Sequence, residues 1–170
     1  MKKSIILSCG VMLSGLLAFN SHAGQGSVSD KQFTAIKSLV GTWEGYKDGE
    51  RDQPVILSYE LSGGGSVVVE KIFKGTPSEM VTAYHQNGDK LILTHYCMLK
   101  NQPRTEASPS GDENKISFRF IDGTNMNAKK DMRMHNLTLT RVSANELKQD
   151  WTIYQEGKAG PVSTFIFVRK

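Results

Sequence analysis

Apolar residues recur along this chain with two different periods. Between 29 and 40, Phe33, Ile36 and Leu39 or Val40 fall three to four positions apart, the spacing that gives a helix one apolar face. Ser29-Asp30-Lys31-Gln32 precedes them and fits a capping box, with Ser29 as N-cap and Gln32 at the third helical position. The pattern predicts one helix of about ten residues ending at Gly41. Beyond Gly41 the period drops to two. Short runs rich in β-branched and aromatic residues predict strands near 42–48, 54–61, 66–73, 79–85, 90–98, 102–108, 115–121, 132–142, 146–155 and 162–169.

Turn signals separate these runs. Ser62-Gly63-Gly64-Gly65 joins the second and third, and Asn87-Gly88 is a two-residue hairpin signal, since both residue types tolerate the positive φ of a type I′ turn. Consecutive hairpins imply antiparallel neighbours, and ten of them are expected to close rather than leave an open edge. The fold expected is therefore all-β, a ten-stranded antiparallel barrel behind a short N-terminal helix. Residues 122–130, "DGTNMNAKK", carry no strand pattern and read as a loop at one mouth, either a lid or a solvated connection.

The N-terminus changes the picture of where the domain works. "MKKSIILSCGVMLSGLLAFNSHA" places Lys2 and Lys3 ahead of an apolar run and ends on the small-x-small site Ser21-His22-Ala23, the layout of a secretory signal peptide over residues 1–23. Cys9 offers a weaker lipoprotein alternative, but half of the apolar run still follows it. Residues 24–29 read as a flexible leader and 30–170 as the single barrel domain. Once Lys2 and Lys3 leave, the net charge falls from +4 to +2, which argues against nucleic acid as a partner. Cys97 is then the one remaining cysteine, so no internal disulfide is expected. A Gram-negative periplasm, or secretion, is the expected location, with no membrane span after cleavage.

The helix running directly into Gly41-Thr42-Trp43, with Arg169 next to the last residue, resembles the calycin pattern shared by lipocalins and fatty-acid-binding proteins. That resemblance implies that Trp43 plugs the closed end of the barrel and that Arg169 lies over its ring. More specifically, "LVGTWEG", "GTPSEMVTAYHQNGDKLILTHYCMLKNQPR" and "MHNLTLTRVSANELKQDWTIYQEGK" resemble a bacterial DUF1579-like group of exported lipocalin-like proteins. The resemblance implies the fold and assigns no activity. Nitrobindins, a related ten-stranded group, bind haem through a histidine, but their motif is not matched in this chain.

Strand alternation selects the candidate chemistry. On "KLILTHYCM" it groups Leu91, Leu93, His95 and Cys97 on one face, and on "MRMHNLTLTRV" it groups Arg133, His135, Leu137, Leu139 and Arg141. If the leucines point inward, His95 and His135 both look into the barrel. Arg104 could pair with an acidic head group, while Tyr59, Phe118, Phe120, Trp151, Phe165 and Phe167 read as core or cavity wall. Met126, Met132 and Met134 would give an adaptable lining.

The candidate ligand-binding residues are thus His95, Arg104, His135, Cys97 and Trp151, and the expected partner is a small hydrophobic or amphipathic molecule, with haem on His95 or His135 as one version. An enzyme using His95 as base with Tyr96 or Arg104 polarising the substrate is the alternative. No nucleophile elbow, Ser/His/Asp set, paired carboxylates or phosphate loop supports it. A further alternative is a protein-interaction domain with a solid core. No ligand spacing for a metal is present, and Cys97 lacks the cationic setting that activates a thiolate.

Overall fold

A computed structural model describes residues 27–170, so the expected signal peptide and the first part of the expected leader lie outside the described residues. The helix α1 (Val28–Lys37) begins earlier than expected and takes the last two leader positions. Its cap is Ser27, not Ser29: Asp30 N–H donates to Ser27 Oγ at 3.1 Å, and Ser27 N–H donates back to Asp30 Oδ2 at 2.8 Å. Asp30 therefore plays the part expected of Gln32. Gln32 instead reaches across to the Ser108 carbonyl, tying the helix to the barrel rim.

Ten strands follow: β1 (Gly41–Lys47), β2 (Val55–Ser62), β3 (Val67–Ile72), β4 (Met80–Asn87), β5 (Lys90–Tyr96), β6 (Gln102–Ser108), β7 (Lys115–Thr124), β8 (Arg133–Arg141), β9 (Glu146–Gln155) and β10 (Lys158–Arg169). Each pairs antiparallel with its sequence neighbours, and β1 pairs with β10 to close the barrel. The expected all-β barrel is what forms, and closure leaves no exposed edge. One turn differs in detail. Asn87 pairs with Lys90, so the loop is Gly88-Asp89, and only Gly88 takes positive φ, which fits a II′ rather than a I′ turn.

Helix α1 closes the end of the barrel where β1 starts and β10 finishes. Trp43 donates its indole N–H to the Leu39 carbonyl at 2.8 Å, and the Arg169 guanidinium lies 4.2 Å over its ring. Arg169 also donates to the carbonyls of Val40 and Ser38 just past the helix. The guanidinium thus satisfies the helix's last carbonyls while covering the indole, as the calycin resemblance implied.

Two bulges matter for the opposite end. Between Met134 and Asn136, β8 advances two residues while β9 advances one, leaving His135 extra; between Phe120 and Asp122, β7 gains Ile121 against β6.

Candidate functional site

Regular pairing lays three polar side chains in one row on the inner wall. Glu70 on β3 faces Thr82 on β4, which faces His95 on β5. All three are buried, as are Tyr59, Tyr84, Gln149 and Trp151 around them. Tyr84 donates its hydroxyl to Glu70 Oε2 at 2.7 Å. Gln149 donates to Tyr59 Oη at 2.7 Å and to Glu70 Oε2 at 3.0 Å, and its carbonyl accepts the Trp151 indole N–H at 3.1 Å. Both amide hydrogens and the amide oxygen of Gln149 are therefore committed, and the Trp151 donor fixes which way the amide points.

These bonds run across the lumen. Gln149 on β9 reaches β2 and β3, and the Trp151 ring on β9 lies 5.0 Å from the His95 ring on β5. Tyr84 on β4 meets Phe118 on β7 at 5.8 Å. The middle of the barrel is thus bridged by side chains from facing walls.

Among the described residues, three inward polar atoms stay without a partner: Glu70 Oε1, His95 Nε2 and Thr105 Oγ1. Burial raises the Glu70 pKa, against the hydrogen bonds that Tyr59, Tyr84, Gln149 and Thr82 offer it. Burial also pushes the tyrosine hydroxyls of Tyr59 and Tyr84 well up, with the Glu70 charge adding to the effect. The His95 pKa is lowered to about 4 by burial, so the imidazole is neutral at neutral pH. Its Nδ1 sits 2.9 Å from Thr82 Oγ1. Nε2 is then the ring nitrogen left without a partner.

His135 is the extra residue of the β8 bulge, toward the end of the barrel opposite α1 and away from the polar row. The bulge shifts the phase of β8 against β9, so Met134 pairs with Ile153 and Arg133 with Tyr154. The His135 ring packs between Phe120 at 5.4 Å and Tyr154 at 5.3 Å, and its Nδ1 meets Arg133 Nη2 at 3.3 Å. His95 packs on Trp151, and His135 on Phe120 and Tyr154. The two histidines do not converge.

Arg104 is not inside. It is exposed, and its Nε donates to Asp122 Oδ1 at 2.6 Å while Nη2 donates to Oδ2. Arg104 lowers the Asp122 pKa and Asp122 raises that of Arg104, the usual behaviour of a bidentate pair. Cys97 falls past the end of β5 in the turn to β6, half-buried, with its thiol pushed up by burial, which keeps it protonated and unreactive. Trp151 is inward, as expected.

Neither histidine suits haem as placed. His95 Nε2 faces a lumen already spanned by Trp151 and Gln149, and His135 is clamped by two rings with a guanidinium on Nδ1. A general base at His95 is likewise poorly built, because no nucleophile or second titratable group is held against Nε2. The polar residues that sequence reasoning passed over are Glu70, Thr82, Tyr84 and Gln149. Glu70 lies in phase with Val68 and Ile72, and Gln149 with Leu147 and Trp151, so an inward phase was the available signal.

No protein-family model and no curated protein matches the chain. Among solved structures it is similar to a DUF3598-family protein of unknown function from Nostoc punctiforme, with 12% identity and a TM-score of 0.54 over 79% of this chain and 48% of that one. It thus spans about half the length of the Nostoc protein. It is also similar to Rv2717c from M. tuberculosis, with 14% identity and a TM-score of 0.53 over 81% of this chain and 96% of that one. At these identities the likeness establishes the fold, a lipocalin-type closed barrel of ten antiparallel strands.

Proposed function

We propose that the protein is an exported barrel that binds a small amphipathic molecule head-first through its open end. The observation that carries this reading is the pair of buried, unpartnered atoms His95 Nε2 and Glu70 Oε1 on one row of the inner wall. Leaving a buried polar atom unpartnered costs about 1–3 kcal/mol, and a ligand head group that accepts from or donates to these atoms recovers it. Above them, Phe73, Met80 and Met134 come from the ends of strands at the mouth opposite α1 and pack on the core while staying partly exposed. An apolar collar over a polar floor matches a molecule with a polar head and a greasy body. Trp151 is the flat surface beside the head group. Export rests on the signal-like N-terminus, and kinship with the DUF1579-like barrels rests on the three sequence stretches quoted above.

The bridged middle of the lumen favours a second reading, a solid barrel that serves as a protein-interaction domain. Native mass spectrometry of protein purified from its own host compartment separates the two. The expected result is a small bound mass in the wild type that disappears in His95→Phe and in Glu70→Leu. A bare mass, together with no shift in melting temperature across a panel of fatty acids and aromatic carboxylic esters, would transfer the assignment to the interaction domain.

A further inference from the structure

At the end of the barrel opposite α1, β8 carries a buried charge without a counter-ion among the described residues. Arg133 is only 2% exposed, and among the described residues no carboxylate lies within ion-pair distance of it. Residues 1–26 contain no Asp or Glu, so they hold no acidic side chain for it. Its guanidinium makes two long hydrogen bonds, from Nη1 to the Asp131 carbonyl at 3.4 Å and from Nη2 to His135 Nδ1 at 3.3 Å, and Nε–H has no acceptor. Both acceptors are neutral when His135 is unprotonated, the form that burial and the Arg133 charge favour. A guanidinium stays charged inside proteins, and a buried charge without a paired opposite one is costly.

The surroundings define what could supply that opposite charge. The Phe120 and Tyr154 rings cover the two faces of the guanidinium, with Cζ 4.0 and 3.8 Å from their centroids. With both faces closed, a partner can arrive only edge-on, in the plane between the rings. That slot admits a flat group and resists a tetrahedral one. The segment 125–132 covers the slot: the carbonyls of Lys129 and Asp131 contact Tyr154 Oη and Arg133 Nη1 at 3.4 Å each, while Asn125 Nδ2 to the Lys100 carbonyl at 2.5 Å and Asn101 Nδ2 to the Met132 carbonyl at 2.9 Å tie the segment to the turn after β5. Lys129 and Lys130 lie exposed on this segment, while its one acid, Asp131, accepts from the Asn127 backbone N–H. The local field around the entrance is positive.

We propose that the Phe120–Tyr154 slot is a second ligand site, which binds a carboxylate edge-on to Arg133. Its two oxygens accept from Nε–H and Nη2–H, the side-on geometry that Arg104 already shows with Asp122. The long contact to His135 Nδ1 is displaced, and His135 stays as the neighbouring wall of the slot. This site shares no residue with the lumen row of Glu70, Thr82 and His95.

The test is a titration of the full-length mature protein with sodium acetate at constant ionic strength, read on the Arg133 Nε–H cross-peak and the His135 ring protons by NMR. A saturable shift with Kd on the order of 1–10 mM is expected, with inorganic phosphate several-fold weaker because it is tetrahedral. Arg133→Lys keeps the charge but loses the fork, and should weaken acetate about tenfold or more as read on the His135 protons. The proposal fails if acetate moves the Arg133 signal no more than chloride does, if phosphate binds as well as acetate, or if Arg133→Lys binds unchanged. Should the variant not fold, the wild-type comparison of acetate, chloride and phosphate decides alone.

Discussion

His95→Gln should change the pH dependence of stability more than it changes stability at neutral pH. The folded protein holds His95 neutral to about pH 4, whereas an unfolded chain titrates histidine near 6.5. The unfolded state therefore binds a proton that the folded state refuses, and wild-type stability falls as the pH drops from 6.5 toward 4. At about 1.4 kcal/mol per pH unit, the full linkage is about 3.4 kcal/mol. About 2.5 kcal/mol of it should be reached by pH 4.5.

Glu70 opposes this. Burial raises its pKa, so the folded state holds a proton that the unfolded chain releases, and Glu70 makes stability fall as the pH rises above the ordinary carboxyl range. Surface carboxylates such as Asp30, Asp48 and Asp122, whose pKa values are lowered, act alike in wild type and variant and cancel in the difference. The assay is urea unfolding of wild type and His95→Gln from pH 7.5 to 4.5. The difference in unfolding free energy should move in the variant's favour by about 2.5 kcal/mol across that range. Parallel profiles would show that His95 takes up its proton equally in both states, and the account of a dry, neutral imidazole would fall. Glu70→Gln should give the opposite change, flattening the wild type's loss of stability at high pH.

Gln149→Leu strips partners from Trp151, Tyr59 and Glu70 together, and should cost about 3 kcal/mol in chemical denaturation; a loss under about 1 kcal/mol would mean that the network is easily rewired. Gly45→Ala drives a Cβ into the Ile166 carbonyl of the paired strand, so a loss of about 3 kcal/mol or failure to fold is expected, read by circular dichroism. Arg169→Met removes two bonds to the helix end and the cation over Trp43; a drop of about 2 kcal/mol, with a shift in Trp43 fluorescence, checks it. Arg104→Ala breaks only an exposed pair and should cost less than about 1 kcal/mol, with the difference shrinking in high salt.

The barrel was legible because its strands are regular where the core is made. Val68, Ile72, Leu91 and Leu93 alternate with outward residues without interruption, and their phase carries His95 inward with them. The closed end was legible for a different reason: Trp43 and Arg169 sit at fixed distances from the two ends of the domain, and a closed sheet brings its first and last strands together. The alternation read through β8 breaks at His135, because a single extra residue reverses the phase of everything before it against β9. "MRMHNLTL" reads as unbroken alternation, and nothing local in it marks the bulge.

The polar row was hidden by a subtler difficulty. A lone glutamate in phase with Val68 and Ile72 looks like an error until its partners are known, and these come from β2, β4 and β9, far apart in sequence. Only closure of the barrel brings Gln149 to within 3.0 Å of Glu70. The same contacts then constrain function. Gln149 orients Trp151, Trp151 packs on His95, and Thr82 takes up Nδ1, so the imidazole can neither turn away nor share its remaining nitrogen with the protein. A purely structural core gains nothing from fixing that nitrogen unpartnered, because an apolar side chain of similar shape in its place would avoid the cost. The fixed, unpartnered His95 Nε2 therefore argues for a bound head group over a merely solid barrel.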